Sequence, residues 1–129
     1  MDVGVVRADP RSAPFFAAAA RDELLIKRCG GCARWLGPEA AGCPGCGADD
    51  PAWAAASGRG TLVSFAVLPG DPPSVLALVE LDEGPWLHTG LVAGPAADSA
   101  AAVAGMRVRA RFEHPADGES YPLFGPDQG

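Results

Sequence analysis

At 129 residues, with 48% hydrophobic and 20% charged side chains, the chain has room for one domain or two very small ones and is too apolar to be disordered. Its 17 glycines and 13 prolines imply short strands, tight turns and a modest core. A formal charge of −6 and a pI near 4.7 argue against a general nucleic-acid binder, and no apolar run approaches the ~20 residues that span a bilayer, so a soluble, cytoplasmic protein without a membrane role is expected.

Residues 1–11 read as a flexible lead. Ser12, followed by Ala13-Pro14-Phe15-Phe16 and the alanines 17–20, has the grammar of a helix over about 13–22: a capping hydroxyl, proline in the first turn, then strong helix formers. Phe15 and Phe16 lie ~100° apart on such a helix, so one faces inward and the other leans to a rim or a partner. Leu24 to Arg28 reads as a strand entering the first cysteine pair, and Ala33 to Leu36 as the strand leaving it.

The cysteines Cys29, Cys32, Cys43 and Cys46 form C-x2-C-x10-C-x2-C, each pair within a glycine-containing turn. Two intervening residues let one turn present both sulfurs to the same ion, while glycines let backbone amides point back at the sulfurs. Two disulfides or a redox pair are the competing readings. The first is disfavoured without an export signal, and the second normally uses a single C-x-x-C in a βαβ setting. One zinc held by four thiolates is expected, and it leaves no open position for water, so its role is structural.

From residue 53 the texture changes to short strands separated by turn signals. Arg59-Gly60-Thr61 opens a strand running to Leu68. Val75, Ala77, Val79 and Leu81 share one face of a second, and Trp86 to Val92 forms a third. Residues 93–105 are small, and Asp98 is placed to cap a short helix there. Met106, Val108, Ala110 and Phe112 alternate with Arg107, Arg109, Arg111 and Glu113 in the clearest period-two pattern, and Tyr121 to Phe124 closes the set. The fold class expected is mainly β: 1–23 a lead and N-terminal helix, 24–52 a zinc ribbon, and 53–129 a five-stranded barrel of OB type.

Candidates for catalysis are few. His88 and His114 have no Ser or Cys neighbour in a recognisable nucleophile setting, and Glu80, Asp82 and Glu83 flank a Gly-Pro turn, where a solvated hairpin end is the simpler reading. No phosphate loop is present, and a non-enzyme is expected. Charge is uneven: residues 1–34 carry six basic and four acidic side chains, the remainder four and twelve.

In order, the Phe-pair helix, the apolar strand into C-x2-C, the second C-x2-C-G, Trp53, Ser57-Gly58-Arg59-Gly60-Thr61, Val79-Glu80-Leu81-Asp82-Glu83-Gly84 and Gly105-Met106-x-Val108 resemble the family catalogued as domain of unknown function 35. The resemblance spans about residues 12–124; the Ala-rich stretch 93–104 departs from it. It implies a rubredoxin-like zinc ribbon joined to an acyl-CoA-associated OB-fold, with Cys29, Cys32, Cys43 and Cys46 as zinc ligands and no catalytic residues. It further implies a hetero-oligomeric partner of a thiolase-superfamily enzyme, such as a thiolase or a lipid-transfer-protein-like aldolase of steroid breakdown. On that reading Phe15, Phe16, Trp35 and Trp53 are candidate interface anchors, or else fill the junction between ribbon and barrel. Arg107, Arg109 and Arg111, about 7 Å apart along one strand face, are candidate contacts to the phosphates of CoA, or else pair with the abundant carboxylates. The alternative function is an OB-fold that binds single-stranded nucleic acid, which the acidic balance opposes.

Overall fold

The computed structural model describes residues 6–49, 51–70, 74–91 and 102–127. Helix α1 (Ala13–Ala19) leads into a three-stranded antiparallel sheet, order β2-β1-β3, made of β1 (Leu25–Arg28), β2 (Trp35–Leu36) and β3 (Ala52–Ala55). Five further strands follow: β4 (Arg59–Leu68), β5 (Ser74–Leu81), β6 (Trp86–Gly90), β7 (Arg107–Glu113) and β8 (Tyr121–Pro126). They form one antiparallel sheet in the order β6-β5-β4-β7-β8. A parallel bridge from Leu91 to Phe124 brings the two edges together. A curled five-stranded sheet, closed by parallel contact between its third and fifth strands, is the OB topology expected. No helix among the described residues is long and apolar enough to cross a membrane.

Helix α1 departs from expectation at both ends. Ser12 makes no side-chain cap bond. Asp9 does the capping three residues earlier: its carboxylate accepts the Ser12 amide at 2.8 Å while the Ser12 hydroxyl accepts the Asp9 amide at 3.0 Å. The bonds from Ser12 hold the Asp9 carboxyl below the usual carboxylate range. The helix stops at Ala19, short of 22, because Asp22 is left-handed (φ 57°) and the Glu23 and Asp22 amides turn back to the carbonyls of Ala18 and Ala19. This is a Schellman ending with Asp where glycine is usual.

The first knuckle's exit strand likewise begins at Trp35, since Ala33 is left-handed (φ 64°) and cannot sit in a strand. Strand β3 carries no alternation, and nothing in the sequence announced it. It forms because β1 offers a free edge, pairing Leu25 with Ala55 through Arg28 with Ala52. The small residues after Val92, including Asp98, lie largely outside the described residues.

One core serves both sheets. Leu24 and Ile26, at the start of the ribbon, are buried with Leu62, Val79, Leu81, Val108 and Phe124 of the barrel. The expected faces of β5 and β7 point inward. Strand β4 changes character at a bulge between Leu62 and Ser64: Leu62 is buried, but Phe65, Val67 and Leu68 are exposed. Gly60 explains the Ser-Gly-x-Gly-Thr segment. A Cβ there would lie 2.4 Å from the Glu80 carbonyl oxygen, backbone that cannot swing aside. Gly60→Ala is expected to destabilise the protein by about 2 kcal/mol, measured by chemical denaturation.

Candidate metal centre and the surfaces around it

The two knuckles are built alike. In the first, the Ala33 amide donates to the Cys29 carbonyl at 3.0 Å; in the second, the Gly47 amide donates to that of Cys43 at 2.9 Å. Both donors are left-handed, at φ 64° and 78°. These turns bring the four sulfurs within 4.8 Å of one another, with Cys29 to Cys46 at 3.4 Å and Cys32 to Cys43 at 3.6 Å. None is in a disulfide. Four sulfurs ~2.3 Å from one tetrahedral ion stand about 3.75 Å apart, so the cluster fits zinc with little adjustment. Cys29 and Cys43 are buried, whereas Cys32 and Cys46 are exposed.

The site is tuned toward thiolates. The Cys32 and Gly31 amides, at 3.5 and 3.3 Å from the Cys29 sulfur, lower its pKa to about 6. The amide of Cys46 lowers that of Cys43. For Cys46, the favourable Ala48 amide is outweighed by the Cys29 and Cys32 sulfurs, which push its thiol up to about 11. Four sulfurs this close cannot all ionise without a cation among them. The four cysteines are therefore the site of one structural zinc.

The candidate interface aromatics have defined partners. Trp53 and Trp35 stand directly across from Lys27 and Arg28 in the ribbon ladder. Each ring carries that cation 4.8 Å from its centroid. Lys27 Nζ also donates to the Ala40 carbonyl at 2.8 Å. Phe15 packs against the barrel core, edge to face with Phe16 at 5.2 Å and 6.5 Å from Trp53. All four aromatics are half-buried. The Phe pair also lines an apolar groove of about 650 Å³ with Leu76, Trp86 and Tyr121.

The polar candidates also have defined partners, and Arg107 takes the carboxylate pairing that the sequence left open. Arg107 is bidentate to Asp82, both bonds 2.8 Å, and its neighbour's carboxyl is held below the usual range by that bond. Arg111 donates to the Pro126 carbonyl at 3.3 Å. Arg109 stands opposite Arg59. The acidic hairpin is not simply solvated: Glu80 accepts the Trp86 indole N–H at 3.0 Å, and Glu83 accepts the Ser57 amide at 2.7 Å. His114 bridges Ser120 (2.9 Å from Nδ1) and Asp22 (2.7 Å from Nε2), which is not a nucleophile setting. Sequence reasoning missed this because Asp22 is 92 positions away. His88 is exposed on β6 and lines the apolar groove.

Comparison with known proteins follows the same two-part division. The ChsH2 rubredoxin-like zinc ribbon domain matches residues 16–52, and the ChsH2 C-terminal OB-fold domain matches residues 53–113. Among solved structures, the chain is similar to one described as the Ltp2-ChsH2(DUF35) aldolase, with 33% identity and a TM-score of 0.78 over 92% of this chain and 96% of that one. A protein of unknown function from the DUF35 family of Sulfolobus solfataricus shares the fold at 14% identity and a TM-score of 0.62, over 93% of this chain and 87% of that one. A probable enoyl-CoA hydratase alpha subunit from Thermomonospora curvata is 39% identical over 84 residues, 60% of this chain and 26% of the relative. The chain thus spans about a quarter of that curated relative's length.

Metal analysis of the purified protein is expected to return one zinc per chain. Cys32→Ser should release the metal and unfold the ribbon, seen as lost zinc and lost protease resistance over residues 29–46; a metal-free protein with the same protection would contradict the assignment. Ala33→Gly relieves the left-handed alanine and should stabilise the zinc-loaded form by up to about 1 kcal/mol in denaturant. With a four-cysteine ribbon and an OB barrel matched in that order over residues 16–113, and with likeness to a solved ChsH2 chain along almost its whole length, the protein belongs to the ChsH2-type DUF35 family.

Proposed function

We propose that the chain is a non-catalytic accessory subunit that binds a thiolase-fold enzyme, a thiolase or a lipid-transfer-protein-like aldolase, and supports its action on an acyl-CoA. The observation that carries this reading is the likeness, over 92% of this chain, to a chain of a structure whose description pairs ChsH2(DUF35) with the aldolase Ltp2. The curated relative's name, an enoyl-CoA hydratase subunit, points to the same class of thioester ligand.

The surfaces support an interaction role. Beyond the bulge in β4, the outer parts of β4 and β5 expose Phe65, Val67, Leu68 and Leu76 and carry no charge from Gly60 to Gly70. An uncharged apolar hairpin of this kind is the sort of surface a protein partner covers. Of the aromatics Phe15, Phe16, Trp35 and Trp53, Phe15 and Trp35 pack against the barrel core, while Phe15 and Phe16 line the groove. The Asp22–His114–Ser120 chain ties the end of α1 to the barrel. Its carboxylate and imidazole are largely exposed (68% and 47%), and its hydroxyl sits on Nδ1, the reverse of the order in a serine hydrolase, which favours a structural clip.

Co-expression with a thiolase-fold aldolase is expected to yield a co-purifying complex that acts on an acyl-CoA, while the isolated chain turns none over. Turnover by the chain alone would overturn the reading. Val67→Lys should leave stability within about 0.5 kcal/mol and weaken the complex about tenfold. Phe15→Ala combined with Phe16→Ala should cost about 2 kcal/mol of stability because Phe15 packs on the core.

A further inference from the structure

Strands β6 and β8 are the two ends of the five-stranded sheet, and among the described residues a single parallel bridge, Leu91 to Phe124, joins them. The strand register explains why the seam is so short. The Leu81 amide donates to the Pro85 carbonyl at 2.9 Å, and the Leu91 amide to the Val75 carbonyl at 3.0 Å. Those two bonds fix the alternation along β6: the backbone groups of Leu87 and Thr89 face β5, while those of Trp86, His88 and Gly90 point across the gap toward β8. Continued from Leu91 and Phe124, the seam would next need the amide of residue 122 to reach the His88 carbonyl. That residue is Pro122, which has no N–H, so the seam stops.

Where it stops, the apolar groove of about 650 Å³ opens, with β6 on one side and Tyr121 to Phe124 of β8 on the other. The edge of β8 is blunted by its proline, whereas β6 (Trp-Leu-His-Thr-Gly) has no such protection. Trp86 is 50% exposed, and Leu76, at 45%, belongs both to this groove and to the apolar hairpin of β4 and β5, so the two form one continuous surface. No lysine or arginine lines the groove. Its one carboxylate, Glu39, has no ion pair among the described residues.

We propose that the open edge of β6 takes up an extended segment of the partner enzyme as an added strand, apolar along its length and carrying a lysine or arginine to meet Glu39. The backbone groups of Trp86 and His88 supply the main-chain bonds, and alternate side chains of the segment enter the groove beside Phe16 and Tyr121. The identity of the partner rests on the accessory-subunit reading above; the site rests on the unpaired edge and the floor beneath it. A second copy of this chain is a poor occupant, because each copy carries a charge of −6 and its own β6 offers no lysine or arginine to Glu39.

The test is amide hydrogen exchange on the zinc-loaded full chain, alone and co-expressed with a thiolase-fold aldolase. Exchange at Trp86 and His88 is expected to slow about tenfold or more in the complex. His88→Pro removes an outward N–H and no sheet bond, so it should keep the fold and weaken the complex about tenfold. Glu39→Lys leaves the backbone alone and should weaken the complex as much, with Glu39→Gln falling between it and the wild type. A complex in which Trp86 and His88 exchange as in the free chain, or which both His88→Pro and Glu39→Lys leave undiminished, overturns the site while the accessory role stands. If no enzyme is held, the accessory role falls, and the edge is judged with two synthetic peptides of alternating valine and threonine, one flanked by lysine and one by glutamate. Protection of Trp86 and His88 by the lysine-flanked peptide alone supports the edge; protection by neither, or equally by both, overturns it. A chain that sediments as a dimer by itself, and as a monomer in His88→Pro, has a second copy on this edge and overturns the proposal as well.

Discussion

Four sulfurs forced together around one charge are the constraint from which the rest of the architecture follows. Sulfurs at the 3.4–3.6 Å separations seen here repel when all are thiolates, and a bound cation relieves that repulsion. The first knuckle terminates β1, and β1 is also the central strand of the ribbon sheet. Leu24 and Ile26, just before it, belong to the barrel's core. The metal therefore holds more than a loop: it fixes the end of the strand through which ribbon and barrel are joined. The apolar interior of the ribbon itself is small, with Leu36 packed beside Cys29 and Cys43.

A chain with a modest core relies on directed contacts to fix how its parts meet. Lys27 over Trp53 and Arg28 over Trp35 clamp the two outer ribbon strands to β1 from its two edges. Asp22, His114 and Ser120 link the end of the helix to the loop between β7 and β8. Asp82 with Arg107 ties the β5–β6 turn to β7. Each is partly exposed and modest alone; together they brace the ribbon sheet, the helix end against the barrel, and the barrel itself. The same economy leaves the outer parts of β4 and β5 without cover, exposing Phe65, Val67, Leu68 and Leu76.

Much of this was legible in residue order. The cysteine spacing announced its metal because the chemistry of one ion allows few arrangements of four thiolates. The inward faces of β5 and β7 were legible because period-two alternation survives burial on one side of a sheet. The resemblance carried by the Ser-Gly-x-Gly-Thr and Val-Glu-Leu-Asp-Glu-Gly segments has a physical counterpart: Gly60 lies against the Glu80 carbonyl, so these two segments are neighbours that must fit. Strand β3 was not legible, since Ala52–Ala55 forms only against an edge that β1 supplies. Nor was the helix cap, where Asp9 and Ser12 compete for one role.

The chain by itself determined the local chemistry: which residues can ligate, turn, alternate or bury, all of which depends on neighbours within a few positions. Tertiary structure alone decided which charges meet. It set His114 against Asp22, gave Arg107 to Asp82 and set Arg109 opposite Arg59, because those encounters join residues 25 to 92 positions apart or depend on strand register. Electrostatic pairing is settled by distance in space, and sequence spacing carries no record of it until the strands are paired.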